Sequence, residues 1–451
     1  MPEPGAIASD FHGEQHAVPI APNVPVDPSV HSWSRFITTF EASEFTDWID
    51  ESLSWKKSCY IGDWSPLLKM RVRGPESKAF FEYLSTNHWP NFQPNQAKHA
   101  IFCRDNGTII GEGVLMMLDH DDFIFTSVPG VTWALFQFHH GNRKFNATVD
   151  IVSHDWYLFQ VQGPSSVAVM EAATKSSVTD LKFMHSRKMS IDGNSFLCLR
   201  GGVSGERGFE LWGPAEEAHA VYRAILSYGA KFGIRQLGYR AKTVNHVEGA
   251  FPTPWLDFLP SFHGDDLEMI EYRRFLQHSG LVSPAVLHIG PSGNYSSQPS
   301  AHHRTPFDLG WGWLVNFDHE FIGKEALKKI ASDPPNALVT LEWNSTDVTD
   351  VYASLFRHET LEFMEMPREW GGVRGSGVYV DDRLIGCAVS RCYSYWFKKM
   401  ISLCIIEAKY STPGTEVTVK WGENGSPQKM IRAVVKPAPY KEDQRKKPLI
   451  E

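Results

Sequence analysis

The sequence predicts an α+β protein of more than one domain, and three observations carry that prediction. A strand–Gly-Pro–helix unit occurs twice, around Arg73-Gly74-Pro75 and around Gln162-Gly163-Pro164. Between Leu199 and Pro254 a glycine-punctuated hairpin is followed by two helices, and from about Pro334 the pattern changes to short strands separated by turns. At 451 residues the chain is longer than one hydrophobic core supports, so two or three domains are expected.

Taken in order, residues 1–32 are rich in Pro, Ala and Val without periodicity and read as an extended arm. Folding starts at about Trp33, and FEASEFTDWIDESLSW reads as a helix with Ser43 as its cap. A strand ending near Asp63 and a second through Met70-Arg71-Val72 lead to Gly74-Pro75 and a helix. Asn106-Gly107 is a hairpin turn, a helix follows around Val131–His140, and Tyr157–Val161 is a strand. In the central hairpin, Phe209-Glu210-Leu211-Trp212 alternates apolar with polar after a turn supplied by Gly201, Gly202, Gly205 and Gly208. Pro214 opens an amphipathic helix, and YRAKTVNHVEGA forms another that sets Lys242, Asn245 and Glu248 along neighbouring faces. The polar stretch running to about Ala301 has the length of a cover over a pocket. Asp381-Asp382 and Pro413-Gly414 turn the later strands.

Composition narrows the class of function. The net charge is −8, and the KEDQRKKP tail is the one long basic run, so the chain lacks the electrostatic footprint of a nucleic-acid binder. Aromatics make up 13% of residues, which suits pockets for flat apolar ligands and equally a large aromatic core. Six scattered cysteines without a CxxC pair read as core thiols of a reducing compartment, and no metal is assigned. The N-terminus lacks a signal peptide's basic and apolar regions, and no stretch nears the roughly 20 apolar residues of a spanning helix. A cytoplasmic protein without a membrane partner is expected.

Glu210 is the odd residue of the central stretch. A carboxylate within an apolar, aromatic strand must find donors if it is buried, unless it lies on a solvated face. The run GGVSGERGFEL, an amphipathic helix, and then GYRAKTVNHVEG resemble the central signature of the folate-dependent aminomethyltransferase superfamily, whose type member is the glycine cleavage T-protein. Further matches run from Asp63 and Ser65 to Thr86-Asn87, and through TPFDLGWGWLVNFDHEFIGKEAL, so the resemblance covers roughly residues 40–440. It implies an aminomethyltransferase fold: two linked α/β halves with antiparallel sheets over 33–333, and a C-terminal β-barrel over 334–451. It also implies that Glu210 grips the pterin ring of tetrahydrofolate, since two carboxylate oxygens accept from adjacent N–H groups. Gln162, Trp212 and Phe251 would complete that cofactor site, with Tyr393, Tyr395 and Trp396 on a loop closing over it. In the T-protein an Asp lies near the reactive folate nitrogen; here Gly111-Glu112 stands in that place, a departure that argues against simple aminomethyl transfer.

WKKSCYIGDWS, EGAFPTP, VTLEWNSTDVTDVYASLF and PGTEVTVKWGENG are similar to the bacterial aryl O-demethylase branch. That resemblance implies removal of a methyl or methylenedioxy carbon from an aromatic ether, in breakdown of lignin-type compounds, with tetrahydrofolate as acceptor. Where that branch has a Tyr assisting the leaving oxygen, and the T-protein an Arg, this chain has Lys242. Lys242 is therefore either an acid or positive charge at the departing oxygen, or a tether for the folate's glutamate tail. Tyr60 and Asp63, at a strand end, would orient the substrate, although Asp63 also suits a turn. Met116-Met117 stands where the demethylases carry a carboxylate-binding Arg, which implies a neutral aromatic ligand. Two other classes remain open: a folate-independent lyase releasing formaldehyde, and a non-catalytic folate-binding protein.

Overall fold

The computed structural model describes residues 6–8, 17–19, 23–37, 39–368 and 372–449, so the arm expected over 1–32 lies partly outside the described residues. Two antiparallel sheets organise the first two-thirds of the chain. One has five strands in the order Thr148–Ile151, Lys69–Arg73, Asp122–Thr126, Ile109–Asp119, Gln96–Cys103. The other has six, in the order Ser186–Ile191, Asn194–Arg200, Gly208–Pro214, Trp156–Gln162, Tyr60–Asp63 and the short parallel Arg235–Gln236.

Alternation along these strands decides what each face meets. In the six-stranded sheet Ile61, Phe159, Val161, Phe209 and Leu211 point to one side, against Val169 and Met170 of one helix and Val221 and Ile225 of another. Residues between them in sequence point to the other side. There Leu158, Leu199 and Trp212 meet Ala97, Met116 and Ile124 of the five-stranded sheet. That second sheet turns Met70, Phe102, Leu115, Met117 and Phe125 away, onto Phe80, Phe81 and Trp133 of its own helices. Two sheets thus face one another across a thin apolar layer, each backed by helices.

The helix expected over FEASEFTDWIDESLSW begins later. Thr39–Ala42 is a strand paired with Trp33–Phe36, and the helix is Trp48–Lys57. Asp47 rather than Ser43 caps it: the Asp47 carboxylate accepts from the Ile49 and Asp50 N–H groups, while the Ser43 hydroxyl is engaged with that of Ser34.

From Asn336 on, six strands close into a barrel, Arg374–Val380 pairing with both Arg383–Ser394 and Glu416–Trp421. The long stretch before it fastens to the barrel. Ser292–Gly293 pairs in parallel with Arg374-Gly375, and the Asn294 amide donates to the carbonyls of Lys420 and Gly422. The C-terminal tail returns to the central hairpin: Gln444 N–H donates to Gly205 O, and Arg200 donates to the Arg445 and Lys447 carbonyls. All six cysteines are free and buried, as core thiols should be. No helix among the described residues is long and apolar enough to cross a membrane.

Candidate functional site

Two residues along from the apolar layer, the inner face of the six-stranded sheet becomes polar. Gln160 and Glu210 are register partners on neighbouring strands, and Gln162 pairs with Tyr60 on the other side. The side chains form one chain of bonds. The Trp212 indole N–H and the Gln160 amide donate to the two Glu210 oxygens, at 3.1 and 3.0 Å. Gln162 donates to Gln160 at 3.2 Å and accepts from the Tyr60 hydroxyl at 3.0 Å, while Asn245 donates to that hydroxyl at 3.2 Å. Ser204, from the glycine-rich turn, donates to Gln162 through both its N–H and its hydroxyl. Gly202 lets the turn come this close: its φ is +140°, and a Cβ there would overlap the Gln162 amide.

Both Glu210 donors are neutral, so the hydrogen bonds hold its acidity only partly against desolvation. Burial pushes the carboxyl up to about 7. Burial likewise pushes the Tyr60 phenol up, well outside the physiological range. At the far end of the chain of bonds, Asn245 Oδ1 is buried without a hydrogen-bond partner among the described residues. A carboxylate lacking a cation among the described residues and an orphaned amide oxygen together suit a flat ligand that brings its own N–H donors, which a pterin edge does.

Lys242 projects from the helix Tyr239–Glu248 into a separate cage. Its ammonium donates to Glu41 and to the Asp63 carbonyl, each at 2.5 Å, and lies over the rings of Phe36 and Trp64 at 4.7 and 4.6 Å. Only 8% of the side chain is exposed. Burial pushes Glu41 up to about 7 despite Lys242, and its Oε1 has no partner among the described residues. Asp63 is raised by burial too, with Lys242 opposing; its carboxylate also accepts from the Ser65 N–H, as in a turn.

On the facing sheet, Glu112 Oε2 accepts from His99 Nε2 at 2.7 Å. The His99 ring packs against Phe251 and edge-on to Trp311, at 5.4 and 4.7 Å between centroids. Met116 is wholly buried against the Trp212 layer, whereas Met117 points to the opposite core, so the two cannot both line a ligand pocket. The turn at 395–398 contributes Trp396, 45% exposed, and Phe397 to a groove of about 400 Å³ shared with Glu206, Arg207 and Tyr440, while Tyr393, expected on that loop, lies in the strand Arg383–Ser394.

The fold thus brings Tyr60, Gln162, Glu210 and Trp212 into one network, joins Lys242 to Asp63 beside it, and puts Phe251 on His99. Three participants escaped the sequence reading. Gln160 was within reach of it, since it lies two residues from Gln162 and must share its face. Glu41 was hidden by the helix assigned across it. His99 meets Glu112 only through strand pairing, and nothing local marks that contact.

The model of the GCVT N-terminal domain matches residues 24–269, more than half of the chain. A syringate O-demethylase of Sphingobium sp. (strain NBRC 103272 / SYK-6) is 32% identical over 424 residues, 88% of this chain and 89% of that protein. A sesamin methylene transferase of Sinomonas sp. (strain No.22) is 32% identical over 426 residues, 89% and 90% of the two chains. The crystal structure of glycine cleavage system aminomethyltransferase T from Bartonella henselae superposes with a TM-score of 0.67 and 18% identity. The match spans 92% of this chain and 96% of that one, and it shows the shared fold.

Proposed function

This chain belongs to the GCVT family, the aminomethyltransferase superfamily, close to its aryl O-demethylases, and from that membership we propose a tetrahydrofolate-dependent one-carbon transferase acting on an aromatic ether. The carbon is a methyl or a methylenedioxy carbon, and the products are a phenol or catechol and the alkylated folate. The observation that carries this reading is Glu210, buried in a polar network whose donors are all neutral. The relatives' names supply the ether: one is a demethylase, the other a methylene transferase.

Glu210 and Asn245 would hold the pterin edge, with Gln160, Gln162, Tyr60 and Trp212 fixing Glu210, and Phe251 bordering the site. Tetrahydrofolate, when bound, supplies the nucleophilic nitrogen that takes the carbon. The chain's own task is then twofold: to align ether and nitrogen, and to stabilise the departing aryl oxygen, a reluctant leaving group. Lys242 is the group proposed for the second task. The Asp63 carbonyl and Glu41 fix its ammonium, and a cation under aromatic rings carries more effect than one in water. A tether for a solvent-bound glutamate tail is the weaker reading for an ammonium so enclosed. Lys242→Met should then lower kcat by about 10²–10⁴-fold with folate affinity little changed.

The direct test is turnover. The protein is incubated with tetrahydrofolate and a panel of methoxy- and methylenedioxy-aromatics, neutral and carboxylated, and the folate product is identified by mass. Methyl- or methylene-tetrahydrofolate is the expected product. Formaldehyde released at an unchanged rate without folate would overturn the reading in favour of a lyase.

A further inference from the structure

His99 has the geometry of a general base, and no sequence motif points to it. Its Nε2 is held by Glu112 at 2.7 Å. A carboxylate only accepts, so Nε2 carries the proton and the lone pair of the neutral ring lies on Nδ1. Among the described residues Nδ1 has no hydrogen-bond partner. The ring is locked between Phe251 and Trp311, with 16% of the side chain exposed. Of these neighbours only Glu112 is ionisable. His99 also stands on the inner sheet face: its register partner is Val114, two residues from Met116 of the layer that touches Trp212. Phe251 lies three residues after Glu248, just past the helix that carries Asn245 and Lys242. The dyad therefore borders the same space as the Glu210 network, from the opposite sheet.

We propose that His99 Nδ1 is the proton acceptor for the amine nitrogen that takes up the ether carbon, with Glu112 as the positioning residue that fixes its tautomer. Resting on the folate reading above, the step balances as follows. The C–N bond forms as the C–O bond breaks, and the C–O electron pair leaves on the aryl oxygen. The N–H proton passes to His99 Nδ1, and the aryl oxygen takes a proton from Lys242 or water. Nothing is oxidised or reduced. An acceptor at this place is needed because an alkylated amine that keeps its proton remains a cation and a good leaving group.

The test uses the whole protein with three readouts. In the ligand-free protein, ¹⁵N NMR of labelled histidine should show His99 protonated at Nε2, a signature lost in Glu112→Gln. His99→Gln should lower single-turnover kcat by about 10²–10³-fold and remove its fall at acid pH, with the tetrahydrofolate Kd by calorimetry within threefold of wild type. Added imidazole should restore part of the rate in His99→Ala. Loss of folate binding in His99→Gln, or an unchanged acid limb without imidazole rescue, would overturn the proposal and leave His99 as packing. Failure of the folate reading itself looks different: Glu210→Ala would then keep full folate affinity whatever the His99 variants do.

Discussion

Glu210 and Glu248 belong to the same sequence signature and are both buried, yet they are held in opposite ways. Glu248 accepts from the Trp55 indole and the Ser394 hydroxyl and forms an ion pair with Lys56, itself buried. Those three partners come from the helix Trp48–Lys57 and a barrel strand, so Glu248 ties the first part of the chain to the barrel. Among the described residues Glu210 has an indole and an amide, and no cation. The difference teaches which carboxylate is available. A buried carboxylate with its own cation is already neutralised, and a ligand has nothing to add. One with neutral donors alone sits at a raised pKa and gains most from a ligand that brings donors. Glu248 is a structural clamp and Glu210 a waiting acceptor.

The largest effect expected from this contrast is on stability. Glu248→Ala removes the ion-pair partner of Lys56, whose pKa burial already holds well below the usual lysine range, and breaking such a buried pair costs about 3–5 kcal/mol. The denaturation midpoint should fall accordingly, while whatever folded protein remains binds folate within threefold of wild type. Should Glu248→Ala instead abolish folate binding in a protein of wild-type stability, the two carboxylates would have exchanged roles.

Next is the converse. Glu210→Ala should leave the fold intact and weaken tetrahydrofolate by about 30- to 1000-fold, the roughly 2–4 kcal/mol of a charge-assisted bidentate contact. A pH dependence comes with it. Glu210 is raised from 4.5 to about 7, so in the free protein its own contribution to stability is fully present below 4.5 and is lost as pH climbs towards 7. The ligand needs the ionised form, so folate affinity should fall by about tenfold per pH unit below about 7. Calorimetry from pH 5.5 to 8 checks this, and in Glu210→Ala that slope should vanish. A slope that survives the substitution belongs to another group.

How far the sequence foretold this contrast depends on the range of the contact. The Glu210 strand and the change to short strands after about Pro334 were readable because alternation and turns are local signals, whereas the two sheets and the barrel were expected from the family resemblance. Trp212 beside Glu210 followed from a period of two, whereas Gln162 meets Tyr60 only through strand register. The first helix was misplaced because Thr39–Ala42 is too short for its alternation to stand out beside a helical run. With it went Glu41, and hence the cage around Lys242. Glu248 could not be recognised as a clamp, since Ser394 is 146 residues away. The Glu112–His99 contact likewise waits on strand register, which no short window of residues fixes.

The smallest expected effect refines what holds Glu210. Trp212 was expected to help complete the cofactor site; the structure buries it completely and turns its indole N–H on Glu210 at 3.1 Å. Trp212→Phe removes that donor while keeping an aromatic ring in the layer with Met116 and Leu158. If the hydrogen bond is its contribution, losing it costs about 1–2 kcal/mol, about a five- to thirtyfold rise in Kd at pH 7. The indole also lowers the Glu210 pKa, so its removal should shift the affinity–pH curve towards higher pH, and the loss should shrink well above the new midpoint. A stacking role predicts the opposite pattern: an affinity loss equal at every pH, with the midpoint unmoved. The two curves separate most clearly at alkaline pH, where Glu210 is ionised in both proteins and only a lost ring contact would still weaken binding.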